Sequence, residues 1–175
     1  TIAEGSSSTT FNVTVNGDTT FEADETFNVT LSSVSGANIS NGTGVGTIQN
    51  DDAAPANLSI ADVTVTEGNS GTTTFGFVVT LDVAAPVSGV TFDIATSDGT
   101  ATIANSDYVL NSVNGAAIAS GNTTYNFDVT VNGDWDNEAN ETFNVTVSNV
   151  SGAVVADGAA VGTITNDDSA VTLIH

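Results

Sequence analysis

The sequence predicts an all-β fold, an immunoglobulin-like antiparallel β-sandwich in tandem repeats of about 116 residues. Short runs rich in Val, Ile, Thr and Phe are broken by Gly and Asn-Gly, which is typical of strands and turns. Several runs alternate apolar with polar residues, and between Thr142 and Val147 the alternation would turn Phe143, Val145 and Val147 inward. A long internal repeat sets the size of each domain.

The internal repeat is found by shifting the chain on itself by 116 positions. Residues 1–52 then align with residues 117–168 without a gap, and 31 of the 52 positions are identical. A period of this length suits one whole domain per repeat. We therefore expect residues 1–52 to be the C-terminal half of one repeat and 53–168 to be a complete repeat. Residues 169–175 would start the next repeat or form a tail.

The complete repeat holds seven candidate strands, separated by turn signals such as Asn114-Gly115 and a wide turn after Gly152. Their predicted ranges, in chain order, are 58–66, 73–81, 90–96, 108–111, 124–131, 142–148 and 159–165. This number of short strands indicates a two-sheet sandwich. The partial copy would hold strands near 11–15, 26–31 and 43–48, too few for a core, so a neighbouring chain or the parent protein would supply the rest.

Charge is the outlier in the composition. There are 21 acidic residues, no Lys or Arg and one His, and the formal net charge is −21. The lack of cationic side chains argues against binding nucleic acid or inserting at an anionic membrane surface. No apolar run suits a membrane-spanning helix, no signal peptide is evident, and the absence of Cys excludes disulfides. A merely solubilising acidic surface is the alternative to a specific cation site.

An acidic loop between two predicted strands, residues 132–143, is the strongest candidate site. Its acidic residues, together with the two that follow the last strand of the repeat, are Asp134, Asp136, Glu138, Glu141, Asp167 and Asp168. Clustered carboxylates repel one another unless a cation bridges them. Hard oxygen ligands of this kind suit calcium best, so the pattern predicts a calcium site.

Catalysis is not expected from this sequence. The single His, His175, lies in the tail, and without Cys, Lys or Arg a nucleophile with a general base is hard to assemble. Paired carboxylates can cleave glycosides, but here they recur in each repeat as structural metal sites do. Trp135 in the acidic loop would cover the end of the sandwich or, alternatively, stack on carbohydrate; Thr19 at the equivalent position of the other copy favours the first interpretation.

Five short motifs follow one another along the complete repeat. They are Glu67-Gly68, Asp98-Gly99-Thr100-Ala101, Asp107-Tyr108, the Glu-x-x-Glu-Thr-Phe of residues 138–143 and the Gly-Thr-Ile-x-Asn-Asp-Asp of residues 162–168. This ordered set resembles the Calx-beta domain. The resemblance implies an immunoglobulin-like sandwich that binds calcium at one end, near the junction with its neighbour. Such domains occur in sodium–calcium exchangers, adhesion receptors and tandem arrays of bacterial surface proteins.

The resemblance also implies a ligand set. Glu67 and Asp107 would join the acidic residues named above, with Asp136 compensating for a missing aspartate or binding only through its carbonyl. In the partial copy the matching ligands would be Asp18, Glu22, Glu25, Asp51 and Asp52. Asn132 and Asn166 stand where strong calcium binders of the family carry aspartate, so we expect one or two ions per repeat at roughly 10⁻⁴–10⁻³ M calcium. Alternatively, Glu67 and Asp107 are turn residues that cap backbone amides.

The expected function is a calcium-binding structural repeat of a long extracellular surface protein of a bacterium, an adhesin stalk or fibre stiffened by calcium at its inter-domain junctions. Its partners would be neighbouring repeats of the same protein or other copies in a filament. The alternatives are a regulatory calcium sensor attached to a transporter or receptor and a carbohydrate-binding module.

Overall fold

The structure is a computed structural model of the chain and describes residues 1–169. The chain divides into two compact units, Thr1–Ala54 and Pro55–His175. Residues 170–175, which include His175 and nearly all of the predicted start of a further repeat, lie outside the described residues. Every regular element of the described range is a strand, and none of it is a helix that could cross a membrane.

The first unit holds two strands, β1 (Glu25–Thr30) and β2 (Thr43–Ile48), which pair antiparallel. The second unit holds nine strands: β3 Ala56–Ile60, β4 Val63–Thr66, β5 Gly71–Leu81, β6 Val90–Asp98, β7 Ser112–Ile118, β8 Thr124–Gly133, β9 Glu141–Ser151, β10 Ala153–Asp157 and β11 Ala159–Thr165. They form a four-stranded sheet, β10-β3-β5-β8, and a five-stranded sheet, β4-β11-β9-β6-β7. Neighbours are antiparallel except for β10 with β3 and β11 with β4. The predicted all-β sandwich is confirmed.

The core of the second unit lies between the inner faces of these two sheets. Phe143 of β9 stands at its centre, with ring centroids 5.6 Å from Phe75, 5.9 Å from Phe77 and 4.7 Å from Tyr108. Its ring fits over Gly162 of the neighbouring strand, where an added Cβ would come within 2.4 Å of the ring. The predicted alternation in β9 holds, because the inward residues of its first half are all buried.

The predicted strand 58–66 is two strands in different sheets. Leu58 and Ile60 point into the core from β3, whereas Val63 and Val65 do so from β4. The apolar positions thus change from even to odd numbers, and the chain crosses between the sheets at that change of phase. Asp62 lies in the crossing, where its Oδ1 accepts a hydrogen bond of 2.7 Å from the N–H of Val161.

Three other sequence assignments in this unit were wrong. Residues 108–111 form no strand; only Tyr108 bridges to Val131, and the strand follows later as β7. Asn114-Gly115, read as a turn, lies inside β7, where the Gly115 N–H donates to Asp93 Oδ1 at 2.7 Å beside an irregularity in the register. The segment after Gly152 is not a wide turn but the short strand β10, which pairs in parallel with β3.

The first unit reproduces part of the second. Phe27 pairs with Gly46 in β1 and β2, as Phe143 pairs with Gly162 in β9 and β11. The predicted strand at 11–15 is absent among residues 1–54. Its equivalent in the complete repeat is β8, which pairs over ten residues with β5, and the first unit holds no counterpart of β5.

Candidate metal centre

The acidic segments of the second unit meet at one end of its sandwich. β4 and β11 run in parallel, so Glu67 and residues 166–168 follow their strands at the same edge. The Glu67 N–H donates to the Thr165 carbonyl at 3.3 Å and extends this pairing by one residue. The middle of the acidic loop, residues 134–140, connects β8 to β9. It begins and ends at this edge too, because β9 pairs with β11.

Asp107 reaches the same end from the connection between β6 and β7. Its carbonyl accepts a hydrogen bond of 3.0 Å from the N–H of Asn132 at the end of β8. Tyr108, the next residue, is buried against Phe143, and its hydroxyl donates to Asp98 Oδ1 at 2.7 Å. The packing of the Tyr108 ring against the core therefore fixes where the Asp107 carboxylate lies.

Two groups of three carboxylates are brought together in this way. Triad A consists of Glu67, Asp167 and Asp168, and triad B of Asp107, Glu138 and Glu141. Within each triad, one carboxylate oxygen of every residue lies within 4.8 Å of those of the other two. Oxygen atoms at such separations can contact a single cation at calcium distances of about 2.3–2.6 Å.

Asp168 is the most constrained member of the two triads. Its side chain is 7% exposed, and its Oδ1 accepts a hydrogen bond from Asn69 Nδ2. Its backbone carbonyl accepts from Asn137 Nδ2 at 2.7 Å and from Asn166 Nδ2 at 3.1 Å. Its Oδ2, by contrast, is buried without any hydrogen-bond partner. Burying a carboxylate oxygen without a partner costs free energy, and a bound cation would offset that cost.

The electrostatics of both triads reflect crowded negative charge. Burial, reinforced by the charges of Asp134, Glu138, Asp168 and Asp167, raises the pKa of Glu67 from 4.5 to about 7. Burial also raises the pKa of Glu141 to about 7, helped by a hydrogen bond with Asp107 and by nearby acids that include Glu67. The pKa of Glu138 is raised by burial and by neighbouring carboxylates. The charge of Glu138 acts on Glu67 and that of Glu67 acts on Glu141, so the two triads form one acidic site.

Asp134 and Asp136 lie in the acidic loop but in neither triad. Asp134 Oδ1 accepts a hydrogen bond of 2.7 Å from the N–H of Asp136, an arrangement that shapes the loop. The charge of Asp134 contributes to the raised pKa of both Glu67 and Glu138, whereas that of Asp136 acts on Glu138 alone. Both residues therefore surround the triads without completing them.

The five acidic residues singled out in the first unit share one open cleft of about 460 Å³, and they are Asp18, Glu22, Glu25, Asp51 and Asp52. Both triads of the described residues nevertheless belong to the second unit. The loop itself is built alike in the two copies: the Glu22 N–H donates to Asn50 Oδ1 at 3.1 Å, as the Glu138 N–H does to Asn166 Oδ1 at 3.5 Å.

The residues present fit a divalent cation of the calcium type. Triads A and B offer only carboxylate oxygens, and no residue of the sequence is Lys or Arg. Hard oxygen ligands in a flexible number suit calcium, whereas thiolate or imidazole metals would need Cys or His, which this end of the sandwich lacks in the described range.

Some residues that shape the site were not singled out from the sequence. Asn69 and Asn137 hold Asp168. Their one sequence signal is their position in loops next to the acidic motifs, and it does not show which backbone or side chain they reach. The capping interpretation holds for one oxygen of Asp107, since its Oδ2 accepts from the Thr102 N–H at 2.7 Å.

Trp135 does not cover the end of the sandwich, contrary to the favoured interpretation. Its side chain is 73% exposed. Trp135 lies between Asp134 and Asp136, in the short turn that their hydrogen bond closes.

Comparisons with known proteins agree with this geometry. A model of the Calx-beta domain family matches residues 1–54 and 49–170. The solved structure of the apo-form Calx CBD1 domain is 22% identical, with a TM-score of 0.53, and the match covers 66% of this chain and 100% of that one. The CBD12 structures from CALX1.2 and CALX1.1 are each 24% identical, with TM-scores of 0.54 and 0.52.

Those two matches cover 64% and 65% of this chain but only 44% and 47% of the CBD12 chains. At such identities the solved structures establish the fold and no more. A search of curated proteins found no match.

Proposed function

Because the chain belongs to the Calx-beta domain family, we propose that its complete repeat binds calcium at triads A and B and is stabilised by it. The observation that carries the proposal is the buried Asp168 Oδ2 without a hydrogen-bond partner, placed beside Glu67 in a chain without Lys or Arg. A bound calcium ion would supply the positive charge that no side chain of this end provides. The role assigned to the site is binding, and no reaction is involved.

The residues divide this role between ligands and supports. Triad A would hold one ion and triad B a second, which agrees with the expected one or two ions per repeat. Asn69 binds the side chain of Asp168 and Asn137 binds its carbonyl, while Oδ2 is left without a hydrogen-bond partner. The charge of Asp134 would favour the approach of a cation to either triad.

Thermal unfolding in calcium and in chelator tests the site. A ligand that binds only the folded state stabilises it by about 2.7 kcal/mol at a hundredfold excess over Kd. For a domain of this size we expect the midpoint to rise by roughly 10 °C. Asp168→Asn should lose most of that rise, because it removes the carboxylate charge and keeps the shape of the side chain.

The matched control is Asp128→Asn, which removes one charge from an exposed position of β8 that belongs to neither triad and should keep the calcium effect. An equal rise with sodium at the same ionic strength, or a full calcium effect in Asp168→Asn, would contradict the proposed site.

At a finer level, we propose that the repeat is a structural part of a long extracellular surface protein of a bacterium, such as an adhesin stalk or fibre. Two features support this: copies identical at 31 of 52 aligned positions, and Asn at 132 and 166 in place of aspartates that would tighten binding. Calcium at the junctions between repeats would stiffen the array, with neighbouring repeats or other copies as partners.

Small-angle scattering of two complete repeats joined in tandem (residues 53–168 twice) tests the stiffening, because the triads follow the strands that lead into the next repeat. With calcium in excess, the distribution of interatomic distances should narrow, because the freedom between the repeats is lost. A distribution that is unchanged by calcium, in a chain whose thermal midpoint does respond to calcium, would separate a stabilised repeat from a stiffened array and reject the junction role.

The binding constant distinguishes the stalk from a regulatory sensor. Extracellular calcium modules bind at about 10⁻⁴–10⁻³ M, whereas sensors respond at about 10⁻⁷–10⁻⁵ M. Calorimetric titration of calcium into the chain should give the weaker range. The alternative function, carbohydrate binding, would use the exposed ring of Trp135. Specific binding on a glycan array that is abolished by Trp135→Ala would favour this alternative.

A further inference from the structure

The first unit exposes residues that form the core in the second. Phe11, Val13 and Val15 are 75%, 46% and 50% exposed. Their equivalents at the same positions of the repeat are Phe127, Val129 and Val131 of β8, all of them buried. Phe11 and Val13, together with Phe27, Val29 and Val45, line an open apolar cleft of about 430 Å³. An apolar surface of this kind on a folded unit marks an interaction site.

The complete repeat shows what covers the equivalent face. Phe143, the counterpart of Phe27, packs against Phe75, Phe77 and Tyr108, and all three rings come from the first half of the repeat. β9 also pairs with β6, and β11 with β4. In the described part of the chain, β1 and β2 pair only with each other, so both outer edges of this ribbon offer free backbone groups.

We propose that the first unit is an acceptor for the first half of a Calx-beta repeat, a segment with the pattern of residues 53–116, docked in the register in which those residues cover residues 117–168. Apolar complementarity and strand pairing carry this proposal jointly. The segment would insert its counterparts of Phe75 and Phe77 over Phe27 and would add strands to both edges of the ribbon. An intact second copy fits less well, because its own Phe75 and Phe77 are buried in its own core.

The same docking would complete a second cation site, an extension that rests on the proposed function. In the complete repeat, Glu67 and Asp107 come from the first half, and the other four members of the triads from the second half. The first unit holds only second-half counterparts, among them Glu22, Glu25 and Asp52, around its acidic cleft. The docked segment would bring the missing glutamate and aspartate.

A close-packing glycine supports the register. Gly133 lies so near the backbone of the preceding loop that an added Cβ would be 2.0 Å from the Gly68 carbonyl oxygen. Its counterpart Gly17 has nothing within 4 Å of such a Cβ. Gly17 thus keeps a space that a counterpart of Gly68 fills in the complete repeat.

A fusion tests the docking. A copy of residues 53–116 is joined ahead of Thr1 of the full chain, and amide hydrogen exchange of β1 and β2 is measured with chelator and with calcium. We expect exchange to slow by about a hundredfold or more relative to the unfused chain, because these strands would join a sandwich core. Binding of a hydrophobic dye should fall with it.

The control fusion carries Phe75→Asp and Phe77→Asp in the added copy only, which leaves the original complete repeat intact, and it should show no protection. Phe27→Asp in the acceptor should have the same effect. Unchanged exchange of β1 and β2 in the fusion, with calcium as well as without, would overturn the proposal. So would strong protection in the unfused chain accompanied by the mass of a dimer, since a second copy would then be the occupant.

The second cation site, in the first unit, is tested separately by measuring how many calcium ions each protein binds. The fusion should bind twice as much calcium as the unfused chain, and the additional binding should be lost on Glu25→Gln. Protected strands without calcium binding in either protein would reject the proposed function and leave the docking intact. Calcium binding that does not increase in the fusion, with the strands protected, would reject only the completed second site.

Discussion

Acidic residues of this chain behave in two opposite ways according to what faces them. Asp82 and Asp93 are exposed and accept hydrogen bonds from Asn57 and Asn149, which lower the pKa of both carboxyl groups. Glu67 and Glu141 are surrounded by other acids, and burial together with those charges raises the pKa of each to about 7. Amide donors thus stabilise the negative charges of Asp82 and Asp93. Because the chain has no Lys or Arg, only an added cation can stabilise the negative charges of Glu67 and Glu141.

The raised pKa values predict how stability depends on pH without calcium. A carboxyl group whose pKa rises on folding from 4.5 to about 7 holds its proton more tightly in the folded state. Stability therefore falls as the pH increases through that interval, and the thermal midpoint in chelator should be higher at pH 5 than at pH 8. Excess calcium should reverse the order, because it binds the ionised carboxylates.

Glu67→Gln should flatten this dependence, since glutamine does not titrate, whereas Asp128→Asn should leave the slope as it is. Thermal midpoints between pH 5 and pH 8 provide the measurement. A midpoint in chelator that increases with pH in the unmodified chain would show that Glu67 and Glu141 do not carry the raised pKa values.

The strands locate the site by where they end. β4 and β11 run in parallel to the same edge, and β8 and β9 turn there through the acidic loop. Backbone pairing thus brings Glu67, Asp168 and Glu141 to the same end of the sandwich. The acidic loop alone does not form a triad. The first unit has a nearly equivalent loop hydrogen bond, yet both triads found among the described residues lie in the second unit.

Gly133 is the point where this arrangement is most easily broken. Gly133→Ala would press a Cβ against the Gly68 carbonyl and displace the loop that carries Glu67. We expect a loss of about 1–3 kcal/mol in unfolding free energy and a clear loss of calcium affinity, measured by denaturant unfolding and calorimetry.

Gly17→Ala is the matched control, because it makes the same change at the equivalent position, where a Cβ meets open space in the full chain. Its stability and calcium binding should stay close to those of the unmodified chain. Equal effects of the two substitutions would mean that the close approach to Gly68 is not what matters.

At the scale of the whole molecule, a formal net charge of −21 without Lys or Arg makes the folded chain repel itself. Salt screens this repulsion, and the Debye length falls from about 30 Å at 0.01 M to about 3 Å at 1 M. In chelator we expect the thermal midpoint to rise steadily over that range of sodium chloride. With calcium in excess the rise should be smaller, because the most crowded charges are already compensated.

The responses of the thermal midpoint to sodium chloride and to calcium together separate general screening from specific binding. Asp168→Asn should keep the response to sodium chloride and lose most of the response to calcium. If sodium chloride instead abolished the calcium effect in the unmodified chain at moderate concentration, the acids would act only as a solvated surface.

The sequence by itself determined much of this protein: the all-β class from short β-branched runs, the repeat from its own alignment, and the acidic end from carboxylates without cations. These properties are local or compositional, so they are visible without three-dimensional information. Even the crossing between β3 and β4 is visible in the sequence, because the apolar positions change from even to odd numbers between Ile60 and Val63.

Only the tertiary structure decided which strands pair and which acids meet. β7 and β10 escaped prediction because Gly115 and Gly152 read as turns, although long-range pairing makes strands beside them. The division of the acids into two triads, the amide support of Asp168 and the open face of the first unit all depend on residues far apart in sequence. Such contacts follow from the packing of two sheets, which no local pattern encodes.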